Sequence, residues 1–149
     1  MTSDGITDAD WDRVHELAVA IVNASAREEE EAARVRARAT LFTLLDQLDD
    51  KYGPKPSLLA TRADYLESHE HREWLWRAAY TEALRLDDHT NQLLVAHSLA
   101  EFFIEEVGNL EEGATWLGVW REHLGIAPVN HDGAELARLE ALLLRGGAP

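Results

Sequence analysis

Two groups of residues in this chain have the types that hold a metal ion or move a proton. Glu67-Ser-His-Glu-His71 sets two histidines among carboxylates, and His97, Glu101 and Glu105 recur every four residues. On a helix the second spacing places an imidazole and two carboxylates in one row along a single face. Imidazole and carboxylate together are ligands for zinc, iron or manganese. The first group is the weaker one. Residues two apart lie about 200° apart around a helix, so His69 and His71 chelate together only from an extended or turn conformation. Di-iron helical bundles use Glu-x-x-His on paired helices, whereas this chain offers Asp12-Arg-Val-His15 and an Asp88 with Asn91 where histidine is needed. No metal and no cofactor is therefore assigned. A metal-binding bundle that uses His97, Glu101 and neighbouring acids stands as the alternative reading.

Other chemistries find less support. The chain has no cysteine, which excludes disulfides, thiolate nucleophiles and cysteine-ligated metal centres. No nucleophile elbow, phosphate-binding loop, dinucleotide fingerprint or His-Glu-x-x-His helix is present. The expectation is a protein that is not an enzyme. A formal charge of −14 repels phosphate backbones and anionic lipid, which argues against nucleic-acid and membrane partners and for a basic protein or peptide. No apolar stretch approaches the roughly 20 residues that span a bilayer. The opening MTSDGITDADWDR is acidic where a signal peptide needs a basic and then an apolar region, so a cytoplasmic location is expected.

The elements that position these residues are helical throughout. A length of 149 residues fits one domain with a substantial core. Thr7 and Asp10 read as a capping box for a helix over about 8–22 that carries Trp11, Val14, Ala18 and Ile21. Ser25 and Glu28 form a second box, which marks either a turn or a point inside one long helix. The stripe Val35, Ala39, Phe42, Leu45 and Leu48 runs to Asp50, and Pro54 and Pro56 end it. Ser57 opens a third helix, with Leu59, Ala63 and Leu66 on one face. A fourth carries Trp76, Ala79, Tyr80 and Ala83. A fifth spans 91–107 with Leu94, Leu99, Phe102 and Phe103, ending at Gly108-Asn109. The sixth covers 110–124 and stacks Trp116 on Trp120. Asp132 and Glu135 cap a last helix over about 133–145. No segment alternates with period two, so the predicted fold is all-α with about seven helices.

The pattern repeats. Ala63-Asp-Tyr-Leu66 returns as Ala100-Glu-Phe-Phe103 after 37 residues, each time inside the first helix of a pair. "AAYTEALRLDD" at 78–88 and "GNLEEGATWL" at 108–117 then resemble the second helix and the inter-helix turn of a tetratricopeptide repeat (TPR). Gly113 stands where that family has alanine, and Asp88 where it has proline. The resemblance covers about residues 57–124. It implies a single domain of stacked antiparallel hairpins, a TPR-like α-solenoid, at about 8–50, 57–88 and 91–124 with a capping helix at 133–145. The same hydrophobic pattern also permits a closed antiparallel bundle. Aligning the two repeats sets Ser68 to His71 opposite Glu105 to Gly108, which predicts an exposed polar turn there.

In such a stack the first helix of each pair lines a concave groove. Asp64, Glu67, His97, Glu101 and Glu105 would fall on or near it and receive a basic or helical peptide, which makes the protein an interaction adaptor or regulatory module. The bland reading of the same residues is a solvated acidic face. Trp74 and Trp76 lie two apart and cannot share a face. Trp76 fits the core stripe, which leaves Trp74 as a contact for a partner or for a second copy in a homo-oligomer.

Overall fold

In the computed structural model the described residues are 1–25, 31–125 and 130–146. They form seven α-helices and no strand: α1 Asp8–Ser25, α2 Glu31–Tyr52, α3 Pro56–Tyr65, α4 His69–Arg85, α5 His89–Glu101, α6 Leu110–Leu124 and α7 Asn130–Leu144. A π-helical turn, Phe102–Val107, extends α5. The second capping box and the break between the first two helices lie outside the described residues. No described helix is long and apolar enough to cross a membrane.

The start signals work as their chemistry requires. Thr7 Oγ1 accepts from the Asp10 N–H at 3.3 Å, while the Asp10 carboxylate turns to Lys51 and Tyr52 of α2 instead of closing the box. Those two donors hold the Asp10 pKa at about 2, below the ordinary 3.8. Pro56 sits at the first turn of α3, where a missing N–H costs nothing. Ser68, Asp88 and Asn109 cap α4, α5 and α6 with their side chains. Asp87 adopts the left-handed conformation (φ 55°), and the Asp88 N–H returns to the Ala83 carbonyl at 2.8 Å. The chain thus leaves α4 and caps α5 within two residues, without the proline of the repeat family.

The core is a relay of three clusters. The first joins Ile6, Val14 and Ile21 to Leu41, Leu45, Leu48 and Leu58, linking α1, α2 and the start of α3. The second packs Ala63 against Leu75, Trp76, Ala79, Val95, Leu99, Phe102 and Phe103 across α3, α4 and α5. The third seats Ala96, Ala100 and Ile104 on Leu117, Trp120 and Leu139, tying α5 to α6 and α7. Phe102, Phe103 and Ile104 are all buried, although three consecutive residues fan over about 200° of an α-helix. The π turn falls at these residues, where α5 is flanked by neighbours on several sides.

Several details differ from the sequence reading. Leu94 is 53% exposed, and Val95 takes its core place. Trp116 does not stack on Trp120: it meets Tyr80 edge-on at 5.0 Å, and Trp120 lies against His97 at 4.5 Å. The polar turn predicted at Ser68 to His71 is shorter and earlier. Ser68 is a helix cap, and His69 to His71 form the exposed first turn of α4. Asp132 lies inside the first turn of α7 and not ahead of it, which frees Glu135 for another role.

Candidate functional site

Asp64 lies on α3 one turn beyond Ala60 and Thr61, and it lines two open clefts that meet at its side chain. One, about 380 Å³, is bordered by Ile21, Val22, Arg34, Arg38, Tyr65 and Glu67. The other, about 270 Å³, is bordered by Trp11, Ser57, Leu94, Val95, His97 and Ser98. Helices α1, α3 and α5 supply most of these walls, α2 adds two arginines, and α4 and α6 add none. Together the clefts form a groove of mixed apolar and polar lining, with the Asp64 carboxylate where the two meet.

Asp64 is exposed to solvent as a residue, with its carboxylate set between the walls of the two clefts. Loss of water around it pushes its pKa up to about 6 from 3.8. Arg72 draws it back, the Trp76 indole does so less, and Glu101 adds to the rise. Among the described residues Trp76 Nε1 has no hydrogen bond of regular geometry, so its pull on Asp64 is that of a nearby dipole and not of a made bond. Arg72 is not free to close the distance. Its Nε donates to the Ala63 carbonyl at 3.0 Å, its guanidinium pairs with Glu106, and it lies over the Trp76 ring at 4.8 Å.

The other acids singled out in the sequence each have an ion-pair partner within the chain. Glu67 accepts from Arg38 at 2.9 Å. Glu101 and Glu105 both pair with Arg138 of α7, which also grips Glu135 through two nitrogens at 2.6 and 2.9 Å. Burial raises the pKa of Glu101, His97 lowers it and Glu135 raises it further. Asp64 alone of the four acids has neither a salt bridge nor a hydrogen bond among the described residues.

His97 faces the same region from α5. Its Nε2 lies 2.9 Å from Glu135 and 3.7 Å from Glu101, with its ring against buried Trp120. His97, Glu101 and Glu135 bring one ligand atom each within 4.8 Å of one another, the geometry from which a metal site is built. The sequence row named His97 and Glu101, but Glu135 arrives from a helix 38 residues away and was read there as a cap. Arg138 contacts the carboxylates of Glu101, Glu105 and Glu135, and so links α5 and its π turn to α7.

The remaining candidates stand apart. His69 meets Phe102 edge-on and lies 3.7 Å from Glu106, while His71 is exposed, so the two do not converge. Trp74 is 67% exposed and borders a separate cleft with Pro54, Leu59 and Ala78, on a face that shares no residue with the Asp64 groove. Sequence reasoning missed Leu94 and Ser57 as groove residues. Leu94 was absorbed into a core stripe, and Ser57 carried only the signature of a helix start.

Comparison with known proteins finds no matching family model, no matching curated protein and no matching solved structure.

Proposed function

We propose that this protein is an interaction module whose groove, walled mainly by α1, α3 and α5, receives a segment of a partner polypeptide carrying positive charge. The arrangement proposed is the TPR-like one: α1–α2, α3–α4 and α5–α6 as stacked antiparallel hairpins, with α7 capping the last. Support comes from the packing order, in which each core cluster joins one helix pair to the next element of the chain. Further support comes from the α3 and α5 residues at the clefts. Both helices are first members of their pairs, while the second members α4 and α6 contribute none.

The observation that carries the functional reading is the Asp64 carboxylate, which makes no salt bridge or hydrogen bond among the described residues and stands where the two clefts meet. A cation from outside supplies the ion pair that Asp64 lacks among the described residues. Exposed Val22 and Leu94 on the rims add apolar surface that a partner would cover. No catalytic role is proposed for any of these side chains.

Leu94→Arg tests this reading, because it fills the groove with a bulky like-signed competitor while altering a side chain that the core does not use. A partner captured on the immobilised wild-type protein from its native host is expected to be lost on Leu94→Arg and retained on Trp74→Ala. Retention on Leu94→Arg with loss on Trp74→Ala would move the binding surface to the α4 face.

A further inference from the structure

The pairing pattern separates Asp64 from every other acid in the region. Glu67 is held by Arg38, and Glu101, Glu105 and Glu135 by Arg138. A cation arriving at those acids must displace a bound guanidinium. At Asp64 it displaces only water. Each adjoining cleft is open, and at about 380 and 270 Å³ each lies at or below the low end of the range that encloses a small ligand. Such clefts suit individual side chains of a longer chain. Ser57 lies beside Asp64's cleft: the residue is more than nine-tenths buried, it borders the smaller cleft, and its buried Oγ has no partner among the described residues.

We propose that Asp64 is the specificity-determining residue of the groove and pairs with one lysine or arginine of the partner, flanked by apolar residues. These apolar residues seat on Trp11 and Leu94 on one side and on Val22 and Leu66 on the other. The inference rests on the groove reading above and narrows its ligand from a generally basic segment to a single basic residue in an apolar context. The nearest other acids already have in-chain partners, Glu67 with Arg38 and Glu101, Glu105 and Glu135 sharing Arg138, so Asp64 is the acid with no ion pair to exchange.

The site is also proton-sensitive. The groups that face Asp64 are Arg72 and Trp76 from α4, Glu101 and His97 from α5, Tyr65 on α3 itself, and Arg34, Arg38 and Glu67 at the end of the larger cleft. A proton on Asp64 removes the charge that the basic side chain seeks.

The test uses an array of short peptides whose central residue is lysine, arginine or norleucine, with flanking positions varied over Leu, Ile, Val, Phe and Ala. Fluorescence anisotropy would be read with the wild-type protein, Asp64→Asn, Leu94→Arg and a Glu101→Gln/Glu105→Gln double variant. At neutral pH the lysine and arginine peptides are expected to bind at least about tenfold more tightly than norleucine. Asp64→Asn should erase that difference and the double variant should keep it. The preference should fade as pH falls through about 6 in the wild type and be absent at all pH values in Asp64→Asn. Equal binding of norleucine, or an unchanged lysine preference in Asp64→Asn, overturns the proposal even if Leu94→Arg abolishes binding and the groove reading survives. Binding that is indifferent to Leu94→Arg as well overturns both.

Discussion

Asp64 is held in a place where its charge is costly, and the sign of that cost can be measured. Its pKa in the folded protein is raised to about 6, above the ordinary 3.8, so folding favours the protonated form. This stabilising contribution is complete below pH 3.8 and is lost as pH rises through about 6. Asp64→Asn removes the loss. The variant is expected to be more stable than wild type at neutral pH by ~1 kcal/mol, and equally stable below pH 3.8. A shift of this size converts formally to ~3 kcal/mol, but water in the open cleft screens most of it. Urea denaturation at the two pH values checks this, and matching midpoints at neutral pH would show that the carboxylate is not strained. A variant that gains stability while losing its ligand marks a functional residue. At this scale the sequence was informative in part: helical spacing put His97, Glu101 and Glu105 on one helix face, and the repeat resemblance set Asp64 near them. It could not show which acids were free, because Arg138 reaches Glu101 and Glu105 only through the docking of α7, an event with no local signal.

Among the elements, the junction of α5 and α6 is the most constrained. A Cβ placed on Gly113 would lie 2.6 Å from Cγ1 of Ile104, close to the root of a fully buried side chain that has no room to withdraw. The glycine at 113 is thus explained by the close approach of Ile104, which the π turn carries onto α6. Gly113→Ala gains about 1 kcal/mol of helix propensity and incurs about 1–3 kcal/mol of overpacking. A net loss of about 1 kcal/mol is expected. Ile104→Ala alone should cost about 2–5 kcal/mol, and the double variant should cost less than the sum. An additive cycle by urea denaturation would show that the two positions do not press on one another. The helices themselves were legible because caps, prolines and 3.6-residue periodicity are local signals; α6 falls where its pattern set it. The π turn was not legible, since it answers to burial on several sides of α5. Leu94 was misplaced for the same reason: periodicity identifies a stripe but does not say which rim of it faces a cleft.

At the scale of the whole molecule, three core clusters pass the chain from α1 to α7, and the N-terminal residues are part of the build. Ile6 is fully buried, and Asp4 accepts from the Ser57 N–H at 2.7 Å, bracing the start of α3 from 53 residues away. Nothing in the local pattern of MTSDGIT announces that role. The charge of −14 is visible in composition, but its arrangement is not: Arg38 pairs with Glu67, Arg138 is shared by Glu101, Glu105 and Glu135, and Asp64 has no ion pair among the described residues. The central claim is therefore spatial, that the partner enters between α1, α3 and α5 and nowhere else. Amide chemical-shift mapping of the labelled protein against a lysine-centred apolar peptide tests it most directly. Saturable shifts are expected at Val22, Ala60, Thr61, Asp64, Leu94 and Ser98, with Trp74, Ala78 and Thr81 unmoved. Shifts centred on Trp74 and the α4 face, with α3 and α5 silent, would contradict the account.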